Sequence, residues 1–416
     1  MYYGWKIVGV TFVTLFISVG FIFYSYGVFF NALQAEFGGG RLGVSLGIAI
    51  MNVAMGVMAP FLGRVSDKGS IRTVMLVGAV MMPAGFFLAS QVNAIWQFYF
   101  LLATLMGGGA ALIGQLPSST LVTNWFIRRR GTALGVATMG ISMSGVIMPP
   151  LSTYLIAEIG WRNTFVVYGF AGLVIVLPLV RSLVVNRPED MGLLPDGDDP
   201  LNPDDPESAL MTDAEQRQWS TRDILLDRDF WAITLPISLC FFSMGATLIH
   251  MIPLASDRGI DPARAAYVLS TCAIVGVFGK VLFGWIADHI DTRIALWLAI
   301  GFQAIGTLLI MRAFTLPSLL VAGGVFGLGM GGIVPLWGSL VGEVFGRSSF
   351  GRVMGLMSPC MLPIQALGVP YAGYIFDQTG TYDIAFRTFL VVYVLAAAIL
   401  FTLRQREVDQ RMKQDD

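Results

Sequence analysis

The sequence predicts an all-α membrane protein with twelve transmembrane helices in two parallel six-helix repeats. Composition is the first reason, because 55% of the 416 residues are apolar and only 13% are charged, whereas a soluble domain carries about a quarter charged residues. The second reason is a series of twelve apolar runs. The third is that landmark residues recur at a constant spacing. Together these observations exclude most folds of water-soluble enzymes.

The apolar runs are 18 to 31 residues long, which is enough for a helix to cross a bilayer, since that takes about 20 residues. A β-barrel is excluded because no segments alternate with a period of two residues. The first run is too long for the core of a cleavable signal sequence. The runs cover residues 6–33, 43–64, 73–90, 96–126, 131–157, 163–185, 229–255, 263–287, 294–313, 317–345, 350–376 and 384–403.

One polar segment, residues 186–228, separates the sixth run from the seventh. It contains five prolines and a dense acidic stretch, a composition that favours a linker over a packed domain. We therefore predict an N-terminal six-helix bundle over residues 1–185, followed by this acidic linker. A C-terminal six-helix bundle then covers residues 229–404, and a tail covers residues 405–416.

The 26 Lys and Arg residues predict the orientation of the chain in the membrane. If both termini and the linker face the cytoplasm, most of these Lys and Arg residues fall on cytoplasmic loops. Cytoplasmic loops of membrane proteins carry an excess of Lys and Arg near helix ends, and acidic residues contribute little to this rule. We therefore expect the termini, the linker and the tail to face the cytoplasm.

The two halves of the chain share landmarks about 220 residues apart. A Gly-x-x-x-Asp motif follows the second run at Gly63–Asp67 and the eighth run at Gly284–Asp288. Such duplication is typical of transporters whose substrate binds near the bilayer midplane, at the interface of two repeats. Two further pairs at this spacing are Gly135 with Gly355 and Phe165 with Phe386.

The duplicated Gly-x-x-x-Asp motif predicts a charge network that closes the cytoplasmic side. Glycine lets neighbouring helices approach, and an Asp at a helix end is held by backbone N–H groups or by a nearby Arg. The alternative is that these residues only brace the fold. The candidate gate residues are Asp67, Arg72, Asp288, Arg293, Glu343 and Arg347. Here the sequence resembles the major facilitator superfamily over its whole length, which implies the fold of that family.

Four motifs narrow this resemblance. Residues 125–140 place two aromatic residues, a basic cluster and then small residues in an order similar to the signature of monocarboxylate transporters at the fifth helix. The opening Tyr2-Tyr3-Gly4-Trp5, the turn Gly160-Trp161-Arg162 and the linker segment 187–197 are similar to bacterial members of that group. The resemblance implies transport of a small organic monocarboxylate such as lactate or pyruvate, together with a proton.

Lys280 is the cation that the topology leaves inside the membrane, in the eighth run. Even the mildest insertion scale assigns about 2.5–3.5 kcal/mol to a charge at the centre of a helix, so something must offset it. The monocarboxylate family has an arginine at this place, and the resemblance implies contact with the substrate carboxylate. Lysine lacks the planar fork of arginine, but it can lose its proton when desolvated. A snorkelling or structural lysine is the alternative.

Other polar residues interrupt the apolar runs. His250, near the outer end of the seventh run, belongs to the residue type that changes charge near neutral pH, so we predict substrate and proton binding there. An interhelical hydrogen bond is the equal alternative. Further candidates for contact with the substrate, with packing as the alternative, are Tyr26, Gln115, Trp337 and Gln365.

The sequence lacks the motifs of several other classes of protein. It has no Gly-rich phosphate loop, no His-Glu-x-x-His and no Gly-x-Ser-x-Gly, which argues against ATP-driven pumps and membrane hydrolases. The three cysteines lie in apolar runs without ligand spacing, and the net charge of −1 gives no basic surface for nucleic acid. We expect no metal, no cofactor and no enzymatic activity.

The sequence therefore predicts a secondary active transporter, a monomer in the inner membrane of a cell, whose partners are a small carboxylate, protons and the lipid bilayer. It carries its substrate by alternating access. Two rival functions remain, an organic-anion exchanger of the oxalate/formate type and a metabolite efflux permease. A rival of another class is a membrane sensor or scaffold that transports nothing.

Overall fold

The computed structural model describes residues 2–37, 40–197 and 219–403, and every regular element within these ranges is helical. Of the helices so described, ten are long and apolar enough to cross a membrane. The predicted all-α fold class is thereby confirmed. Helices dominate because each one satisfies its own backbone hydrogen bonds, which lipid cannot do.

In the N-terminal half, four of the predicted runs are not simple helices. The first and fourth runs are each built from several helical pieces, and the fifth and sixth form one long element. The elements are α1 (Gly4–Val19), a π-helical turn (Gly20–Tyr24), α2 (Ser25–Phe37), α3 (Gly40–Lys68), α4 (Ile71–Ala89), α5 (Ile95–Leu101), a second π-helical turn (Leu102–Met106), α6 (Gly107–Ile113), α7 (Gln115–Trp125) and α8 (Arg130–Leu183).

The C-terminal half is more regular. A short helix, α9 (Thr221–Leu226), precedes six long helices that match the seventh to twelfth predicted runs in order. They are α10 (Arg228–Asp257), α11 (Pro262–Ala287), α12 (Thr292–Arg312), α13 (Leu316–Phe345), α14 (Phe350–Thr379) and α15 (Asp383–Leu400).

Helix α8 covers the predicted fifth and sixth runs and changes direction at Gly160. The φ of 77° at this residue lies in the left-handed region, which glycine adopts without steric cost. The following Arg162 donates hydrogen bonds to the carbonyls of Ser90 and Val92 at 3.0 and 2.8 Å and pairs with Glu36 at 2.8 Å. The Gly-Trp-Arg motif is therefore a turn that ties two helix ends together.

The described residues form two compact units. The first contains residues from 1–127, 136–216 and 347–359, and the second contains residues from 128–135, 217–346 and 360–416. Aromatic rings fill the core of the first unit, where Tyr168 stacks on Phe21 at 4.3 Å. In the second unit, Phe389 packs edge-on against Phe242 and Phe386.

Candidate transport site

Lys280 lies on α11 in the second unit, and only 5% of the residue is exposed. Its backbone is tightly enclosed. A Cβ atom on Gly135 would lie 2.5 Å from the carbonyl oxygen of Lys280, and one on Gly331 would lie 3.0 Å from its amide nitrogen. Close contacts at these two glycines therefore hold the backbone of α11 in place at Lys280. The charged residue consequently lies in a buried environment.

His250 lies on α10 in the second unit and is half-buried. Its Nε2 is 3.1 Å from the carbonyl oxygen of Val369, and its Nδ1 is 3.1 Å from the hydroxyl of Tyr382. A carbonyl can only accept, so Nε2 carries the hydrogen and, in the neutral ring, Nδ1 accepts from Tyr382. A proton that arrives at Nδ1 requires the Tyr382 hydroxyl to turn and accept instead.

The two candidates for contact with the substrate in the first unit have different surroundings. Tyr26 is 7% exposed, and its ring lies 6.4 Å from that of Phe98. Gln115 is the first residue of α7, directly after Gly114 breaks the fourth run with a ψ of −151°. Its amide donates to the hydroxyl of Ser119 at 3.0 Å. Gln115 therefore lies at a discontinuity in a membrane span, a feature that transporters use at binding sites.

The two candidates for contact with the substrate in the second unit lie on helices that are consecutive in the sequence. Trp337 on α13 is 8% exposed and packs edge-on against Phe241, with 6.2 Å between ring centroids. Gln365 on α14 is half-buried. Both are compatible with packing or with a ligand surface.

Asp288 follows the end of α11 in the second unit. Its carboxylate accepts hydrogen bonds from the backbone amides of Gly131 and Thr132 at 2.6 and 2.8 Å. Burial raises the pKa of this carboxyl, and the hydrogen bonds from Thr132 and Gly131 partly oppose that shift. Asp288 therefore holds the first turn of α8, where unpaired N–H groups favour a negative charge.

The predicted gate residues near Asp288 have partners of their own. Arg293 forms an ion pair with Asp291, and its Nε lies 3.0 Å from both carboxylate oxygens. Glu343 at the end of α13 accepts a hydrogen bond from the hydroxyl of Thr292. The Arg293–Asp291 pair lies at the start of α12 itself, whereas the Thr292–Glu343 bond ties the start of α12 to the end of α13.

The remaining gate candidates belong to the first unit. Arg72 donates from its guanidinium to the carbonyl of Arg181. Arg347 pairs with Glu189 of the linker at 2.6 Å. The side chain of Asp67 lies outside the described part of the structure.

The described residues give no support for a metal centre. They contain no group of three or more His, Cys, Asp or Glu side chains that could hold a metal ion. Cys240, Cys272 and Cys360 are free thiols.

A comparison with protein families identifies the chain. The model of the Major Facilitator Superfamily matches residues 11–316. The chain belongs to the major facilitator superfamily. It is accordingly a multi-pass membrane transporter and not an enzyme.

Several relatives of this facilitator are monocarboxylate transporters. Monocarboxylate transporter 2 of Meriones unguiculatus is 28% identical over 412 residues, covering 96% of this chain and 83% of that protein. Monocarboxylate transporter 2 of Homo sapiens is 27% identical over 413 residues, with 96% and 84% covered. The resemblance seen in the motifs therefore extends along the chain.

Solved structures of other facilitators share the fold. The proton:xylose symporter XylE superposes with a TM-score of 0.78 at 12% identity, covering 97% of this chain and 96% of XylE. The human organic anion transporter MFSD10 (TETRAN) superposes with a TM-score of 0.70 at 16% identity, covering 96% of this chain and all of that one.

One polar cluster of this facilitator was not foreseen from the sequence. Ser25, Ser152 and Tyr168 join their hydroxyls in the core of the first unit, with Ser152 at 2.9 Å from Ser25 and 2.6 Å from Tyr168. Ser25 also donates to the carbonyl of Gly20 at 2.8 Å. The cluster lies at the π-helical turn of the first span, and hydropathy carries no signal for it because serine and tyrosine are common in such spans.

Proposed function

We propose that this facilitator carries a small organic monocarboxylate, of the size of lactate or pyruvate, together with a proton. The observation that carries the proposal is the burial of Lys280. A cation that is 5% exposed inside an apolar helix represents a large energetic cost in a membrane. A carboxylate substrate offsets that cost each time it binds. The names of the relatives support the same class of substrate.

A monocarboxylate fits the remaining candidates better than a sugar does. Sugars require many hydrogen-bonding side chains, whereas Tyr26, Trp337 and the apolar residues around them present mainly hydrocarbon. Gln115 and Gln365 supply amide groups for an α-hydroxyl or keto oxygen. We assign these four residues to the substrate site, with Lys280 as its counter-charge.

His250 is proposed to modulate proton binding. Its Nδ1 can take a proton while Nε2 keeps its bond to Val369, so the ring becomes a second cation in the half that holds Lys280. This charge favours an anion. We assign proton coupling to Lys280 and His250.

The proposed mechanism is alternating access, in which the gate residues and the two bundles act together. The six-helix bundles 1–185 and 229–404 rock about the substrate site, the linker 186–228 joins them, and Asp67, Arg72, Asp288, Arg293, Glu343 and Arg347 close the cytoplasmic side. We propose an inner-membrane monomer with both termini and the tail 405–416 in the cytoplasm.

The test is carboxylate binding by purified variants of Lys280. Lys280→Ala should abolish lactate binding in calorimetry, a loss of about 2–5 kcal/mol for removing one partner of a buried charge pair. Lys280→Arg should retain part of it, because the charge remains. The control is Arg264→Ala, which removes an exposed cation from the same helix. Wild-type affinity in Lys280→Ala, with wild-type uptake into liposomes, would exclude the proposed anion site.

A further inference from the structure

The first membrane span contains a π-helical turn, Gly20–Tyr24, between α1 and α2. In an α-helix the amide of Ser25 would donate four residues back, but here it donates five residues back, to the carbonyl of Gly20. The turn therefore holds one residue more than an α-helical turn. Because a helix rotates by about 100° per residue, this extra residue sets the direction of every side chain in α2 relative to α1.

The hydroxyl of Ser25 reinforces this turn. It donates to the same carbonyl of Gly20 at 2.8 Å, so two donors of one residue hold that oxygen. Gly20 also lets the turn lie against α8, because a Cβ atom there would lie 2.7 Å from Met148 and 2.9 Å from Ser144. The turn is thus fixed both by packing against α8 and by the hydroxyl of Ser25.

Tyr168 on α8 completes this cluster of hydroxyls. It lies 2.6 Å from the hydroxyl of Ser152 and 3.1 Å from that of Ser25, and within the described residues these two oxygens are its hydrogen-bond partners. The carbonyls of Gly20 and Met148 accept the protons of the two serines, so Tyr168 donates its own proton to a serine oxygen. All three side chains are at most 1% exposed. Loss of one hydroxyl therefore weakens the whole cluster, because water cannot replace it.

The second unit offers an internal comparison. At the spacing of the sequence repeat, the positions of the three hydroxyls hold residues without one, namely Ala246, Gly373 and Phe389. The ring of Tyr168 stacks on Phe21, inside the turn, at 4.3 Å. Its counterpart Phe389 keeps a ring contact, with 5.8 Å to Phe242. However, α10, the counterpart of the first span, is α-helical from Arg228 to Asp257. The hydroxyls and the π-helical turn therefore occur together in the first unit and are both replaced in the second.

Tyr26 follows the turn almost directly and is one of the residues assigned to the substrate site. A Cβ atom on Gly47 of α3 would collide with its hydroxyl, and its ring stacks on that of Phe98 at 6.4 Å. Ser25, one position earlier, contacts α8 instead. The direction of Tyr26 thus depends on how Ser25 is held.

We infer that Tyr168 is a positioning residue for substrate binding. Its hydroxyl, together with those of Ser25 and Ser152, holds the π-helical turn and so directs Tyr26 toward α3. Tyr168 and Ser152 act through the turn and need not touch the substrate. The inference rests on the proposed function in one respect, because that proposal assigns Tyr26 to the substrate site.

The first measurement follows the turn itself, in the purified full-length protein and without substrate. Amide hydrogen exchange of residues 20–26 is compared between the wild type and Tyr168→Phe, which removes the hydroxyl but keeps the ring. Exchange of the Ser25 amide should become about two- to ten-fold faster, the range for losing one hydrogen bond. Ser152→Ala should have the same effect, and it replaces Tyr168→Phe if that variant does not fold.

Tyr393→Phe is the matched control. Tyr393 is also 1% exposed and lies on α15 of the second unit, so this variant removes a buried tyrosine hydroxyl from the other unit. It should leave exchange at the turn unchanged. Unchanged exchange in both Tyr168→Phe and Ser152→Ala would overturn the inference, as would an equal acceleration in Tyr393→Phe.

A double-mutant cycle tests the link to Tyr26. In calorimetry, Tyr168→Phe should weaken lactate binding about two- to ten-fold in the wild-type background and should add no loss to that of Tyr26→Ala. An equal further loss in both backgrounds would assign Tyr168 to general stability and overturn the positioning role. If the wild type binds no carboxylate, the proposed function fails, whereas the exchange experiment still decides whether Tyr168 holds the turn.

Discussion

Gly63 and Gly355 approach so closely that a Cβ atom on Gly355 would lie 3.2 Å from the Cα of Gly63. Within the second unit, a Cβ on Gly284 would lie at the same distance from the Cα of Gly135. In the sequence repeat, Gly63 corresponds to Gly284 and Gly355 to Gly135. The same backbone contact is therefore built twice, once in each unit, and the repeat explains why these four glycines recur.

This contact predicts that Gly135→Ala is destabilising. The new Cβ would lie 2.5 Å from the Lys280 carbonyl oxygen, so backbone must move, and overpacking of this kind costs about 1–3 kcal/mol. Gly301→Ala is the matched control, because no atom lies within 4 Å of its Cβ position and alanine favours a helix more than glycine does. Thermal unfolding should show a lower midpoint for Gly135→Ala only. Equal midpoints would contradict the tight contact.

The gate assignment predicts that Asp288→Asn and Asp67→Asn slow transport but leave substrate affinity within a few fold. Asparagine keeps one oxygen to accept from the amides of Gly131 and Thr132 but lacks the charge that the helix end favours. Counterflow in liposomes gives the rate, and calorimetry gives the affinity. A large loss of binding in a folded variant would argue against a gate. A loss confined to one of the two variants would argue against equivalent roles.

The pKa of Asp288 predicts a pH dependence of stability. Burial raises this pKa in the folded protein above the ordinary value of about 3.9 that the unfolded chain has. The folded state then binds more protons between the two values, so the free energy of unfolding falls as the pH rises through that window. Asp288→Asn cannot ionise and should lose this part of the slope in thermal unfolding at stepped pH. An identical dependence of stability on pH in both proteins would refute the raised pKa of Asp288.

His250→Gln is expected to bind substrate and to show a flatter dependence of transport on pH between about 5 and 8, the range in which histidine changes charge. Glutamine can donate to Val369 and accept from Tyr382, so both hydrogen bonds are kept while the ionisable ring is removed. Tyr382→Phe is the companion variant, since it removes the partner of Nδ1 but keeps the imidazole. An unchanged profile in His250→Gln would assign the residue to structure.

Hydropathy predicted the spans because the length of an apolar run is a property of local sequence and must match the thickness of the bilayer. The repeat identified the four recurring glycines but not which of them lie in contact, because those contacts join distant parts of the chain. The break at Gly114 escaped prediction, since a single glycine in an apolar run does not reveal whether the helix continues. The same run contains Gly107, Gly108 and Gly109, which are helical. Only the packing around each residue distinguishes them.

Pairing between charged side chains was harder to predict than their positions. The sequence predicted that Arg347 belongs to a cytoplasmic charge network but not its partner, which in the structure is Glu189 of the linker. Arg293, in contrast, pairs with Asp291, only two residues away. A long side chain reaches partners from any part of the fold, so spacing along one chain segment does not determine its ion pair.

The repeat also has a consequence for selectivity. The carbonyl of Ala59 faces Gly355 as the carbonyl of Lys280 faces Gly135, each 2.5 Å from the glycine's Cβ position, so Ala59 is the counterpart of Lys280. The two repeats therefore share this backbone contact, but only the second repeat has a charged residue, Lys280, at that position. If Lys280 is the proposed anion site, this asymmetry supplies one counter-charge, and we expect substrates with one negative charge to be preferred over those with two.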